Sequence, residues 1–190
     1  MKTKLLALFG LFILAVNVSY AQVNEEALDD LKYATPDEFI TEVIGIDFGT
    51  PKTQARKKII EQLGTPTEED LLNIRYVDIT YGNVEYDLAS FGFSESTGNP
   101  LNSFQLACYC YSQVRANEIV EKIRKDLAED YTLVHMNQPF MANSIPATLN
   151  YVGGRSKSIF YGFAIATMKT TDEDDEEMYL VTLNYGPYSY

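Results

Sequence analysis

Four stretches of this chain read as strands, rich in β-branched and aromatic residues or alternating apolar with polar ones, and turn-forming residues separate them. IRYVDITY at Ile74–Tyr81 is followed by Gly82-Asn83, and VEYDLASFGF at Val84–Phe93 by the polar loop ESTGNPLN at Glu95–Asn102. SFQLACYCY at Ser103–Tyr111 runs up to Ser112, and MYLVTLNY at Met178–Tyr185 repeats the pattern near the C-terminus. Alternation puts successive side chains on opposite faces of a strand, so each run has one face to bury. Antiparallel sheet with a covered face is the architecture that satisfies it. Weaker strand signals occur at Tyr131–Met136, Ala147–Val152 and Ser158–Met168, the last two separated by Gly153-Gly154. Asn137–Ile145 reads as a loop with exposed Phe140 and Met141.

Two amphipathic helices supply the cover. In the first, Thr50 suits an N-cap and Pro51 the first helical position, where its missing N–H costs nothing. Ala55, Ile59, Ile60 and Leu63 form its apolar stripe, Gly64 ends it and Pro66 blocks resumption. Ser112 caps the second, whose stripe is Ala116, Ile119, Val120, Ile123 and Leu127. Each helix precedes a group of strands, and Phe91-Gly92-Phe93 is echoed by Tyr161-Gly162-Phe163. This order predicts an α+β fold of two helix-plus-antiparallel-sheet units, a tandem αβββ-like pseudo-repeat over 44–111 and 112–185, with helices packed on one sheet face.

The N-terminus has a different character. Lys2 and Lys4 precede a nearly all-apolar run from Leu5 to Val18, and Ser19-Tyr20-Ala21 offers small residues for cleavage. Residues 1–21 therefore read as a signal peptide cut near Ala21, and the chain as an exported, soluble protein, periplasmic or secreted. The apolar run is too short for the ~20 residues that span a bilayer, and no later run predicts a transmembrane segment. Residues 22–43 read as an N-terminal arm with two short helical pieces, and 44–190 as the folded domain. The net charge is −12, more negative once Lys2 and Lys4 leave with the leader. Such a surface repels nucleic acid and anionic membranes and suits a basic partner.

Several segments invite a chemical reading. VIGIDFGTPKT at Val43–Thr53 resembles the first phosphate loop of the actin, sugar-kinase and heat-shock ATPases. No second phosphate loop follows, so Ile44–Phe48 is expected to be a short strand, Gly49 a turn, and the rest a helix start; no cofactor is predicted. Cys108 and Cys110 share a strand face with Phe104 and Leu106, with α-carbons roughly 6.5–7 Å apart, at the limit for a disulfide. They read as core residues. His135 lies between apolar neighbours as a partly buried histidine, without the elbow or second histidine that catalysis or zinc would need. The six carboxylates of Asp172–Glu177 could hold calcium weakly, but their mutual repulsion favours a solvated hairpin tip. No catalytic, cofactor or metal residue is assigned.

Tyrosine is abundant, 14 residues with no tryptophan. A recognition surface is expected at Tyr109, Tyr111, Tyr185 and Tyr188, with Phe140, Met141 and the loops 95–102 and 137–145. Gly49-Thr50-Pro51 leading through a helix to Leu63-Gly64-Thr65-Pro66 and Tyr-rich strands resembles the BamE/SmpA-type small envelope lipoproteins, here without a lipidation cysteine. Those share a fold with the β-lactamase-inhibitor proteins, and the resemblance implies helices packed on an antiparallel sheet, an arrangement that in those proteins sometimes occurs in tandem. The leader ending SYAQ is also similar to those of small secreted Bacteroidetes proteins. The function expected is that of a non-catalytic binding protein of the envelope or extracellular space with a protein partner. An inhibitor or immunity-type protein using its acidic surface is the alternative, and a hydrolase centred on His135 the third.

Overall fold

Positive φ at both Ile44 and Gly45, 45° and 68°, closes a tight hairpin between β1 (Glu42–Val43) and β2 (Ile46–Asp47). This is the first element of the computed structural model, which describes residues 40–142, 145–154, 162–172 and 174–186. The short strand expected at 44–48 is thus a turn and a return strand. Residues 42–43, assigned to a helical arm, are the other half of that hairpin. The leader, the remainder of the arm to residue 39, and Tyr188 lie outside the described residues.

The chain continues through α1 (Lys52–Leu63), β3 (Glu68–Glu69), β4 (Asn73–Tyr81), β5 (Val84–Phe93), β6 (Leu101–Cys110), α2 (Gln113–Leu127), β7 (Leu133–Ala142), β8 (Ile145–Gly153), β9 (Phe163–Thr171) and β10 (Glu177–Tyr185). Pro51, not Thr50, caps α1, and it does so with its carbonyl, which accepts from the Gln54 and Ala55 N–H groups. Gly64 closes the helix at φ 79° with its N–H on the Ile60 carbonyl. Ser112 caps α2 by accepting the Arg115 N–H at 3.2 Å.

The expectation of two helix-plus-sheet units is wrong. The described residues form one antiparallel sheet of eight strands, in the order β3-β4-β5-β6-β10-β9-β8-β7, beside the small β1–β2 ribbon, and only two helices. The fold is mostly β. The last strands of the two strand runs, β6 and β10, pair with each other from Phe104↔Tyr185 to Cys110↔Tyr179. α2 packs on strands from both runs, β5 and β6 of the first and β9 and β10 of the second, so joining the runs supplies the floor it needs. Ala55 and Ile59 of α1 and the whole predicted stripe of α2 bury into a single apolar cluster with that face.

The loop expected at 137–145 is also corrected, because β7 runs to Ala142 and β8 starts at Ile145. Asn137 has φ 46°, and the β7–β8 register shifts between His135 and Gln138. That bulge breaks the alternation and hides the strand from a period-two reading.

One cross-strand row organises the covered face. Ile74, Phe91, Phe104, Tyr185, Phe163, Gly153 and Leu133 are successive register partners from β4 to β7. Phe91 stacks on Phe104 at 4.5 Å, and Phe104 and Phe163 each lie 6.0 Å from Tyr185. Gly153 keeps the row closed, since a Cβ there would come within 2.3 Å of the Phe163 ring and 2.8 Å of the Thr132 carbonyl oxygen. Phe104→Ala removes the ring between two stacking partners at a fully buried site. It should cost about 3–5 kcal/mol, measured by urea denaturation. A loss under about 1 kcal/mol would contradict this packing.

Candidate functional site

β5 and β6 are partners only from Leu88↔Ala107 to Phe93↔Leu101. Beyond Ala107, β6 stays with β10 while residues 84–87 of β5 turn away from it. The cause lies in two single-residue slips that face one another. Along β4 the covered face takes Tyr76 and then Ile79; along β5 it takes Tyr86 and then Ala89. Val77 and Leu88, themselves partners, belong to the opposite face. Asp78 has φ 55° and takes up the slip in β4, while Asp87 does so in β5. The β4–β5 register is unchanged on either side, so no residue is inserted; the two slips re-aim the side chains at the point where the β4–β5 hairpin leaves β6.

Helix α2 bridges the gap. Its first turn is tied to the end of β6 by the Ser112 cap. At its other end the Asp126 carboxylate accepts from the side chain and backbone N–H of Asn83, in the β4–β5 turn. Gly82 is required there, because its φ is 57° and a Cβ would meet the Asp126 carboxylate at 1.9 Å. Beneath this bridge lies a cleft of about 450 Å³, lined by Asp78, Glu85 and Asp87 from the hairpin, Cys108 to Cys110 from β6, and Arg115, Ile119 and Lys122 from α2. Arg115, Ile119 and Lys122 follow at i, i+4 and i+7, so one helical face overlooks it. The volume falls in the ~300–1,000 Å³ range of small-ligand sites.

The parted backbones are partly satisfied by side chains. The Tyr109 N–H donates to Asp87 Oδ2 at 2.7 Å, and the Cys108 thiol to the Glu85 carbonyl at 3.3 Å. Burial pushes the Asp87 carboxyl above its ordinary range; the Tyr109 N–H pulls it down and the Asp78 charge adds to the rise. Burial, with the Asp87 charge, pushes the Cys108 thiol up to about 12, and burial raises Cys110 as well. Both thiols are free, buried and protonated at neutral pH. They sit in the core row with Phe104 and Leu106, as the alternation implied. What the cleft offers is an acidic wall on the sheet side, a basic rim on the helix side, and tyrosine and thiol surface between.

The residues singled out in the sequence are dispersed. Tyr185 is buried at 4 % exposure in the aromatic row under the helices, whereas Tyr109 is half-buried on the opposite face. They form no common patch. Tyr111 and Met141 are exposed, at 67 % and 57 %. Tyr111 stands just past β6, at the start of the α2 bridge; Met141 is on the edge strand β7, where Phe140 packs half-buried against the uncovered face. His135 is exposed rather than partly buried, lies on that same edge strand 4.9 Å from the Tyr151 ring, and lines no part of the cleft.

The opening glycine turn is committed to the chain itself. Gly49 N–H donates to the Leu101 carbonyl, and Lys52 N–H to those of Gly98 and Asn99, leaving these donors no phosphate to hold. In the acidic tip, Asp172 Oδ1 accepts the Asp174 and Glu176 N–H groups, and Glu177 pairs with Lys169. Among the described residues no group of three or more His, Cys, Asp and Glu is placed to hold a metal, and no helix is long and apolar enough to cross a membrane. No known protein family, curated protein or solved structure matches the chain.

The alternation did carry a sign of the cleft. In both IRYVDITY and VEYDLASF it slips by one residue at an aspartate, and the two aspartates face each other across a hairpin. An acid whose folded pKa is raised binds its proton more tightly when folded. Asp87 therefore favours the fold below the carboxyl's unfolded pKa and loses that contribution as pH rises through the folded value. Asp87→Asn keeps an oxygen for the Tyr109 N–H and removes the charge. It should raise the Tm at pH 7, with the gain vanishing near pH 3, followed by calorimetry at both. A gain at pH 3 alone would contradict the burial of this carboxylate beside Asp78.

Proposed function

We propose that the chain is an exported, non-catalytic binding protein that holds a basic side chain of a partner polypeptide in the cleft between β5, β6 and α2. The observation carrying this reading is the meeting of Asp78 and Asp87 where the two strands part, with Glu85 on the same wall. Burial, with a smaller push from the Asp78 charge, moves the Asp87 carboxyl toward its neutral form. An ammonium or guanidinium between the two aspartates removes that repulsion. Arg115 and Lys122 on the opposite rim suit the carbonyls or an acidic neighbour of the incoming segment. The overall charge of −12 draws basic partners from a distance. Export rests on the leader-like residues 1–21.

Catalysis has weak support. The cleft's thiols are protonated at neutral pH, and the histidine is elsewhere. An inhibitor of a basic enzyme is the second form of the same reading, favoured by the acidic surface; the identity of the partner separates the two.

Calorimetric titration with capped Gly-Lys-Gly and Gly-Arg-Gly, against capped Gly-Gln-Gly, tests the reading. The basic peptides should bind and weaken with added salt. The Asp78→Asn and Asp87→Asn variants should each weaken them by about tenfold. Equal binding of the neutral peptide, or no effect of either substitution, would overturn it.

A further inference from the structure

The face of the sheet away from the helices carries a second cross-strand row, one residue out of step with the aromatic one. Arg75, Ser90, Gln105, Asn184, Ala164, Val152 and Val134 are its successive register partners. Three of these seven, Ala164, Val152 and Val134, are apolar and need no explanation. The others are polar and buried: Arg75 4 %, Ser90 2 %, Gln105 9 % and Asn184 6 % exposed. Arg75 is answered by Glu68 at 2.8 Å and Asp70 at 2.7 Å. The other three are not answered in the same way. Asn184 gives its Nδ2 to Thr182 Oγ1 at 3.0 Å, but its Oδ1 is buried without a partner. The Ser90 hydroxyl and the Gln105 carboxamide are not among the buried atoms left without a partner; they belong to residues that line a groove on this face.

A polar side chain almost wholly withdrawn from water, with only a narrow groove to supply its hydrogen-bond partners, costs stability that an apolar residue of similar shape would not. Above Ser90 and Gln105 a groove of about 180 Å³ opens, lined also by Leu72, Asn73, Gly92, Phe93, Asn102 and Ser103. No ionisable side chain lines it. Its floor carries a hydroxyl and a carboxamide, the rim adds Asn73, Asn102 and Ser103, and all of these both donate and accept. Adjacent carboxamides and hydroxyls of this kind match neighbouring hydroxyls on a ring, where each ligand group is at once donor and acceptor.

We propose that this groove is a second binding site, for a neutral polyhydroxylated ligand of the monosaccharide class. Its size admits one ring-sized unit, below the ~300–1,000 Å³ of drug-sized sites. The ligand hydroxyls hydrogen-bond Ser90 and Gln105, while Gly92 leaves the floor open. The site lies on the other side of the sheet from the α2 bridge and is independent of the cleft and its charges.

Saturation-transfer NMR on the purified protein, with glucose, galactose, mannose and N-acetylglucosamine as probes, tests it. At least one sugar should receive transfer. The signal should be lost in Gln105→Leu and reduced in the milder Ser90→Ala, and should persist in Asp87→Asn. The Tm of Gln105→Leu should equal or exceed that of the parent, the mark of a group kept for binding at the expense of stability. Absence of transfer to all four sugars, or transfer unchanged in Ser90→Ala and Gln105→Leu, would overturn the proposal. So would a lower Tm in Gln105→Leu together with no sugar binding in the parent, which would make the row structural.

Discussion

The pairing of β6 with β10 is the constraint on which the other features rest. It places Phe104 beside Tyr185 and so joins Phe91 on one side to Phe163 on the other. A four-stranded layer under each helix would have ended at an open edge, with main-chain donors and acceptors in water. Pairing the two edges removes both and makes a floor wide enough for α1 and α2 together. The stripe of α2 shows the consequence, since it packs on β5, β6, β9 and β10, strands from both runs.

The same commitment creates the cleft. β6 follows β10 to Cys110 without a break, so where the β4–β5 hairpin departs at Asp78 and Asp87 the gap opens on the other side, between β6 and β5. Side chains then occupy positions where backbone would have paired: Asp87 on the Tyr109 N–H, and the Cys108 thiol on the Glu85 carbonyl. A charged residue in a half-buried gap is a costly way to finish a sheet. The cost is the physical ground for reading the gap as a place of recognition, since a cation there would offset it.

Much of this was legible residue by residue. The limits of β5 match the alternating run at Val84–Phe93, the stripe of α2 is the one its spacing implies, and Cys108 and Cys110 lie in the core row. These are local properties, set by periodicity and turn chemistry. Partner choice is not local. Alternation says which face of β6 is buried and nothing about whether its free edge meets β10 or water, so one sheet was read as two. Local irregularities defeated the rest: the bulge at Asn137 hid the second half of β7, and the slips at Asp78 and Asp87 passed as polar residues on a strand. Tyr185 was misjudged for a related reason, because Tyr on a sheet suits the core and the surface equally.

Residue-resolved amide hydrogen exchange on the native protein tests the central claim, that β6 and β10 weld a single sheet. Amides of Phe104–Cys110 and Tyr179–Tyr185 should exchange together in the slowest class, while those amides of residues 84–87 that point toward β6 rather than β4 exchange faster than the rest of β5. Separation of β6 and β10 into two classes that open independently, or fast exchange along their shared edge, would contradict it.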